Sequence, residues 1–149
     1  MPRNDVIHAS NRIFRLIKAR NFDVSSGKIK AEAFKLAEDI NETYLSCTWY
    51  EFRNGDIQKL IEDIRNRMVS KKLSKQSLFS LLKIQDIKDA CQAVCRADIN
   101  VKHLDETTSY SGIFGINDNF RQSRNIAFKA NKSPIYDIDA RLKNTNDDN

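Results

Sequence analysis

His103 is followed by Asp105 and Glu106, and then by Ser109, Tyr110 and Ser111. An imidazole beside carboxylates can act as a general base, and a nearby hydroxyl as a nucleophile. His103, Ser109, Tyr110 and Ser111 are therefore the candidate catalytic residues, and they would support a small hydrolase or transferase. No Gly-x-Ser-x-Gly elbow and no His-Glu-x-x-His motif accompanies them. The plainer reading, a strand-end histidine facing a loop, ranks above catalysis. Cys91 and Cys95 are spaced to share one helical face. Zinc would need two further ligands, and Cys47, His8 and His103 are all remote in sequence. Both helix thiols also fall on an apolar stripe, so they read as core. Neither a metal nor a cofactor is expected. Gly112-x-x-Gly115 lacks the Lys-Ser/Thr of a phosphate-binding loop, and the pair between its glycines, Ile113-Phe114, is apolar.

Cations gather in two places. Residues 1–30 hold Arg3, Arg12, Arg15, Lys18, Arg20, Lys28 and Lys30 against Asp5 and Asp23. Residues 65–75 hold Arg65, Arg67, Lys71, Lys72 and Lys75 with no acid. Such clusters neutralise phosphates, and aromatics on an open strand face stack on bases. Arg12, Arg15, Lys18, Arg65, Arg67, Lys71, Lys72 and Lys75 are the nucleic-acid-binding candidates. The bland alternative is a solvated surface. Tyr44, Tyr50, Phe52, Ile113 and Phe114 are the candidates for contact with a partner.

These residues must be positioned by a small number of elements. Residues 12–18 are apolar with basic flanks, and their period fits helix and strand equally. Residues 29–36 have weak strand spacing. Residues 44–53 form the best strand, with Leu45, Cys47, Trp49 and Glu51 on one face and Tyr44, Ser46, Thr48, Tyr50 and Phe52 on the other. Both faces carry large side chains, so the strand is either central or docks a partner. Asn54-Gly55-Asp56 stops it, and Asp56 can cap a helix over 57–70 carrying Ile57, Leu60, Ile61, Ile64 and Met68. A buried strand over 78–84, a helix over 85–96 and a strand over 99–104 follow. Residues 105–119 read as loop, 120–130 as a third helix, and 135–142 as a last short turn. The expected core draws on Leu45, Cys47, Trp49, Ile57, Leu60, Ile61, Ile64, Phe79, Leu81, Ile84, Ile87, Cys91, Val94 and Val101. The expected fold is α+β: a small mixed sheet of about four to five strands with two to three packed helices. Residues 1–11 are expected to be a flexible N-terminus, 12–143 a single domain and 144–149 a disordered tail.

With 149 residues, the chain is long enough to bury a core without staples. Charged residues make up 30% and hydrophobic ones 40%, which excludes an acidic disordered chain and a membrane bundle. Lys plus Arg outnumber Asp plus Glu by 25 to 20, a modest excess for a dedicated nucleic-acid binder. The cysteine count of 3 is odd and argues for a reducing cytoplasm. Neither a signal peptide nor a membrane-spanning helix is expected.

Phe22-x-x-x-x-Gly27-x-Ile29, Ala33-Phe34, Leu45-Ser46-x-x-Trp49 and a strand leading into Ile113-x-Gly115 occur in that order. This order resembles a group of small bacterial proteins associated with defence or toxin–antitoxin-like loci. In that group the last loop carries a proline and a histidine ahead of the isoleucine, and Thr108–Gly112 contains neither. The resemblance therefore implies an accessory protein more than an enzyme. The leading expectation is a non-enzymatic interaction module or accessory subunit of such a complex, partnered by another protein of the same locus, with no membrane. The alternatives are nucleic-acid binding through the two basic clusters and, last, a hydrolase or transferase centred on His103.

Overall fold

The computed structural model describes residues 5–68, 70, 72–94 and 96–144. Lys71, Cys95, Met1–Asn4 and the expected tail after Asn144 lie outside the described residues. The strands are β1 (Asp5–Val6), β2 (Arg12–Ile17), β3 (Phe22–Asp23), β4 (Lys28–Ile29), β5 (Tyr44–Trp49), β6 (Leu78–Lys83), β7 (Asn100–His103), β8 (Tyr110–Phe114) and β9 (Ile135–Asp137). The helices are α1 (Ile57–Arg67), α2 (Ile84–Gln92) and α3 (Asn119–Ala130). Seven strands form one sheet in the order β1-β7-β8-β5-β2-β6-β9, and every pairing in it is antiparallel. β3 and β4 form a separate ribbon. The class is α+β. No helix among the described residues is long and apolar enough to cross a membrane.

The sheet is larger than the expected four to five strands, because some strands are hard to read locally, and it is antiparallel throughout where a mixed sheet was expected. β8 lies in the stretch expected as loop. Its Gly112 lowers strand propensity, yet the fold requires it. A Cβ there would stand 2.5 Å from Cδ2 of Tyr44, which leans over it from β5. β9 replaces the expected last turn: it is a three-residue edge strand, and the carbonyl of Pro134 just before it accepts from the Leu81 N–H at 3.1 Å. At the N-terminus, β1 pairs with β7 and Ile7 is buried. The expected strand over 29–36 shrinks to β4, and a 3-10 turn over Ala31–Phe34 then drops Ala33 and Phe34 into the core. β5 ends at Trp49, and a turn over Glu51–Arg53 closes with Asn54 and Gly55 at positive φ.

β2 was ambiguous in period because it is covered on both faces, which removes polar alternation. Ile13 and Ile17 enter the larger core with Leu45, Cys47, Leu82, Val101 and Ile113, beneath α2, α3 and Phe34. Phe14 enters a second core with Phe79 and Leu81, under Leu60 and Ile61 of α1. The Phe14 and Phe79 rings stack at 5.1 Å. Asp56 caps α1 by accepting from the Lys59 N–H at 3.2 Å. Of the expected core, Trp49, Ile57, Ile64 and Val94 are only half-buried, and the others are buried. Beyond α1 the same face of the sheet is open: Ser46 is exposed, and Tyr44, Lys102, Tyr110 and Phe114 are half-buried.

Candidate functional site

β2 and β5 pair only at Ile13 with Trp49 and Phe14 with Thr48. Thr48 Oγ1 donates to the Phe14 carbonyl at 3.0 Å and closes that end. Beyond it the strands part, because β2 runs on against β6 while β5 runs on against β8. The Arg15 side chain fills the split. Its Nε and Nη2 donate to the Ala33 carbonyl at 3.0 and 2.8 Å, and Nη1 donates to the Ser46 carbonyl at 2.5 Å. A guanidinium thus takes the place of missing ladder hydrogen bonds.

A cavity of about 350 Å³ opens at this split. Among the described residues three cations line it: Arg15, Lys18 and Arg67. The one carboxylate in its lining is Glu42, whose Oε1 accepts from the Ala37 N–H at 2.8 Å. Phe14, Leu16, Ile64 and Met68 supply apolar wall, and Ser46, Thr48 and Tyr110 supply hydroxyls. Arg67 lies over the Tyr110 ring at 3.7 Å, with Asp105 at 3.9 Å. The Tyr110 hydroxyl meets those of Tyr44 at 2.9 Å and Ser46 at 3.3 Å.

Among the described residues Arg15 makes no salt bridge. Burial lowers its pKa, and the nearby Cys47 and Glu42 act the other way. Three of its five N–H donors are used by carbonyls, which leaves two. The Tyr44 hydroxyl is pushed up to about 12, first by its bond to Tyr110 and then by burial. Burial also pushes the Cys47 thiol up to about 12. Both groups keep their protons at neutral pH.

The structure brings Arg15 and Lys18 from the first basic cluster and Arg67 from the second to one cavity. It does not bring Arg12, Arg65, Lys72 or Lys75 there. Arg12 is held by Glu51, through its N–H at 2.8 Å and Nε at 3.0 Å, and lies over Tyr50. Arg65 is half-buried on α1, Lys72 and Lys75 are exposed beyond it, and Lys71 lies outside the described residues. Among the partner candidates, Tyr44 and Phe114 reach the open face. Tyr50 packs against the α1 core and Phe52 against His103. Ile113 is a correction: it is fully buried, because its register with Leu45 and Val101 turns it to the helix-covered face.

The candidate catalytic residues are distributed among separate bonds. His103 is buried, with Nε2 at 2.7 Å from the Thr108 carbonyl and its ring edge-on to Trp49. Ser109 Oγ donates to Asp63 Oδ2, and Ser111 Oγ to the Ser109 carbonyl at 2.9 Å. Tyr110 alone lines the cavity. Asp63 escapes sequence reading because it sits among the polar positions of α1. It is nonetheless buried, held by Arg53 and by both the N–H and the hydroxyl of Ser109. Burial pushes its carboxyl up, but these hydrogen bonds outweigh that and hold it below the ordinary carboxylate value. Glu42, Ser46 and Thr48 also join the site unannounced: the strand register places Ser46 and Thr48, and a bond from the Ala37 N–H holds Glu42.

Compared with known protein families, with characterised proteins and with solved structures, the chain matches none.

Proposed function

We propose that this chain is a non-enzymatic module that binds a phosphate-bearing anion in the cleft between β2 and β5. One observation carries the reading: among the described residues, Arg15 holds a charge in the cavity wall with no carboxylate bonded to it and two donors unspent. Arg15 is half-buried, and a cation partly withdrawn from water is stabilised by an anionic partner. Arginine's planar fork suits phosphate oxygens. Lys18 and Arg67 add charge of the same sign, and the hydroxyls of Ser46 and Tyr110 can orient the ligand. Calorimetric titration with uridine monophosphate at low salt tests this. Saturable binding that Lys18→Gln with Arg67→Gln weakens, and that Arg15→Gln removes in a chain that still unfolds cooperatively at a lower midpoint because the Ala33 and Ser46 carbonyls lose their donors, is the expected result. Absence of binding by the mononucleotide and by pyrophosphate would refute it.

A second reading is the accessory subunit of a bacterial defence or toxin–antitoxin-type complex, bound to a protein of the same locus. It is favoured by α3, where Phe120 and Phe128 stand two turns apart on the outer side, each 59% exposed. A stoichiometric complex that survives nuclease and a high-salt wash, and that Phe120→Ser with Phe128→Ser abolishes, is its test. A monomeric protein under those conditions contradicts it.

A further inference from the structure

Beside the cleft, the open half of the sheet face carries a strip of aromatic rings. Tyr44 and Phe114 are cross-strand partners, and their rings stack at 4.7 Å and 28°. Both lean across Gly112, where a Cβ would lie 2.5 Å from Tyr44 and 3.0 Å from Phe114. Tyr110 continues the strip on β8, hydroxyl to hydroxyl with Tyr44. Each end carries a cation: Lys102 Nζ lies 4.9 Å from the Phe114 ring centroid, and Arg67 lies 3.7 Å from that of Tyr110. Ser46 and Tyr110 also line the cleft, so strip and cavity are continuous. The cations along this path are Arg15, Lys18, Arg67 and Lys102. The opposing acids are Glu42, engaged by the Ala37 N–H, and Asp105, at 3.9 Å from Arg67.

We infer that the strip and the cleft together bind single-stranded nucleic acid. Bases stack on the Tyr44–Phe114 pair and Tyr110, and phosphates run past Lys102 and Arg67 to the Arg15 pocket. This rests on the cleft reading for its phosphate anchor. An unpaired strand is the polyanion that offers free base faces, and a base can extend the Tyr44–Phe114 stack or take the place of the cations that lie over Phe114 and Tyr110. Charge complementarity points the same way, since cations outnumber acids along the whole path.

Fluorescence anisotropy with a labelled twelve-nucleotide oligothymidylate tests it, with uridine monophosphate titrated in parallel. The native chain is expected to bind the oligonucleotide at least tenfold more tightly than the mononucleotide. If all four cations meet phosphates, raising salt from about 50 to 200 mM weakens binding roughly fifty-fold. The double variant Tyr44→Leu, Phe114→Leu keeps apolar packing but loses the ring faces. It should lose roughly tenfold or more in oligonucleotide affinity and retain mononucleotide binding. Acylation of Lys102 in the native chain gives a readout that needs no variant: the oligonucleotide should protect this amine and the mononucleotide should not. Equal affinity for both probes, or an unprotected Lys102, overturns the inference while leaving the cleft reading standing. Failure of both probes and of pyrophosphate to bind removes both.

Discussion

Replacing Arg53 with leucine removes both guanidinium donors from Asp63, Nε to Oδ2 and Nη2 to Oδ1, each at 2.8 Å. The Asp63 side chain is 7% exposed and that of Arg53 27%. Stripping one partner from a buried pair costs about 3–5 kcal/mol, because the remaining charge is left uncompensated. Here Ser109 still donates twice and Arg53 is partly solvated, so a loss of about 2–3 kcal/mol is expected at pH 7. The sign with pH is distinctive. In the native chain the Asp63 carboxyl is held below its ordinary value, so its contribution is present above that value and lost as pH falls through the folded one. In the variant, desolvation is no longer outweighed by Arg53, and protonation relieves the buried charge. The deficit between variant and native chain should therefore narrow as pH falls from 7 to 4. Urea unfolding followed by the fluorescence of Trp49, the single tryptophan, measures it. A deficit within about 0.5 kcal/mol at pH 7, the size of an ordinary surface change, would refute the reasoning. So would a deficit that widens on acidification.

Two further outcomes follow from packing. Gly115→Ala places a Cβ 2.2 Å from the Asp98 carbonyl oxygen at a φ of +103°, and the obstacle is backbone. A loss of at least about 2 kcal/mol is expected by the same denaturation assay, since strain at such a position adds to the clash; a neutral result contradicts the tight turn. His103→Ala removes a buried ring wedged between Trp49 and Phe52 and bonded to Thr108. It should destabilise by about 2–4 kcal/mol, whereas an unchanged unfolding midpoint would free the histidine from a structural role.

What could be read from the sequence tracks how local each determinant is. The spacing of Ile57, Leu60, Ile61 and Ile64 carries its own period, so α1 was legible within a few residues of its limits. The same holds for β6, α2 and α3. β8 was not, because Gly112 is there for the sake of Tyr44, which is distant in sequence. β1 and β9 are edge strands of two and three residues, too short to show alternation. For the site, Arg15, Lys18, Arg67, Tyr44, Tyr110 and Phe114 could each be singled out by residue type. Their meeting depends on where β2 stops pairing with β5, and no local pattern encodes that register. The role of Arg15 was hidden for a second reason: its partners are the carbonyls of Ala33 and Ser46, which have no signature in side-chain chemistry.

The most direct test of the cleft is to watch Arg15 itself. Two-dimensional NMR of the arginine side-chain N–H groups, with uridine monophosphate titrated at low salt, reports on the guanidinium that carries the proposal. Saturable shifts at Arg15 and Arg67, with the arginines of α3 unmoved, are the predicted result. Shifts spread over the whole surface, or an Arg15 signal that never moves, would contradict it.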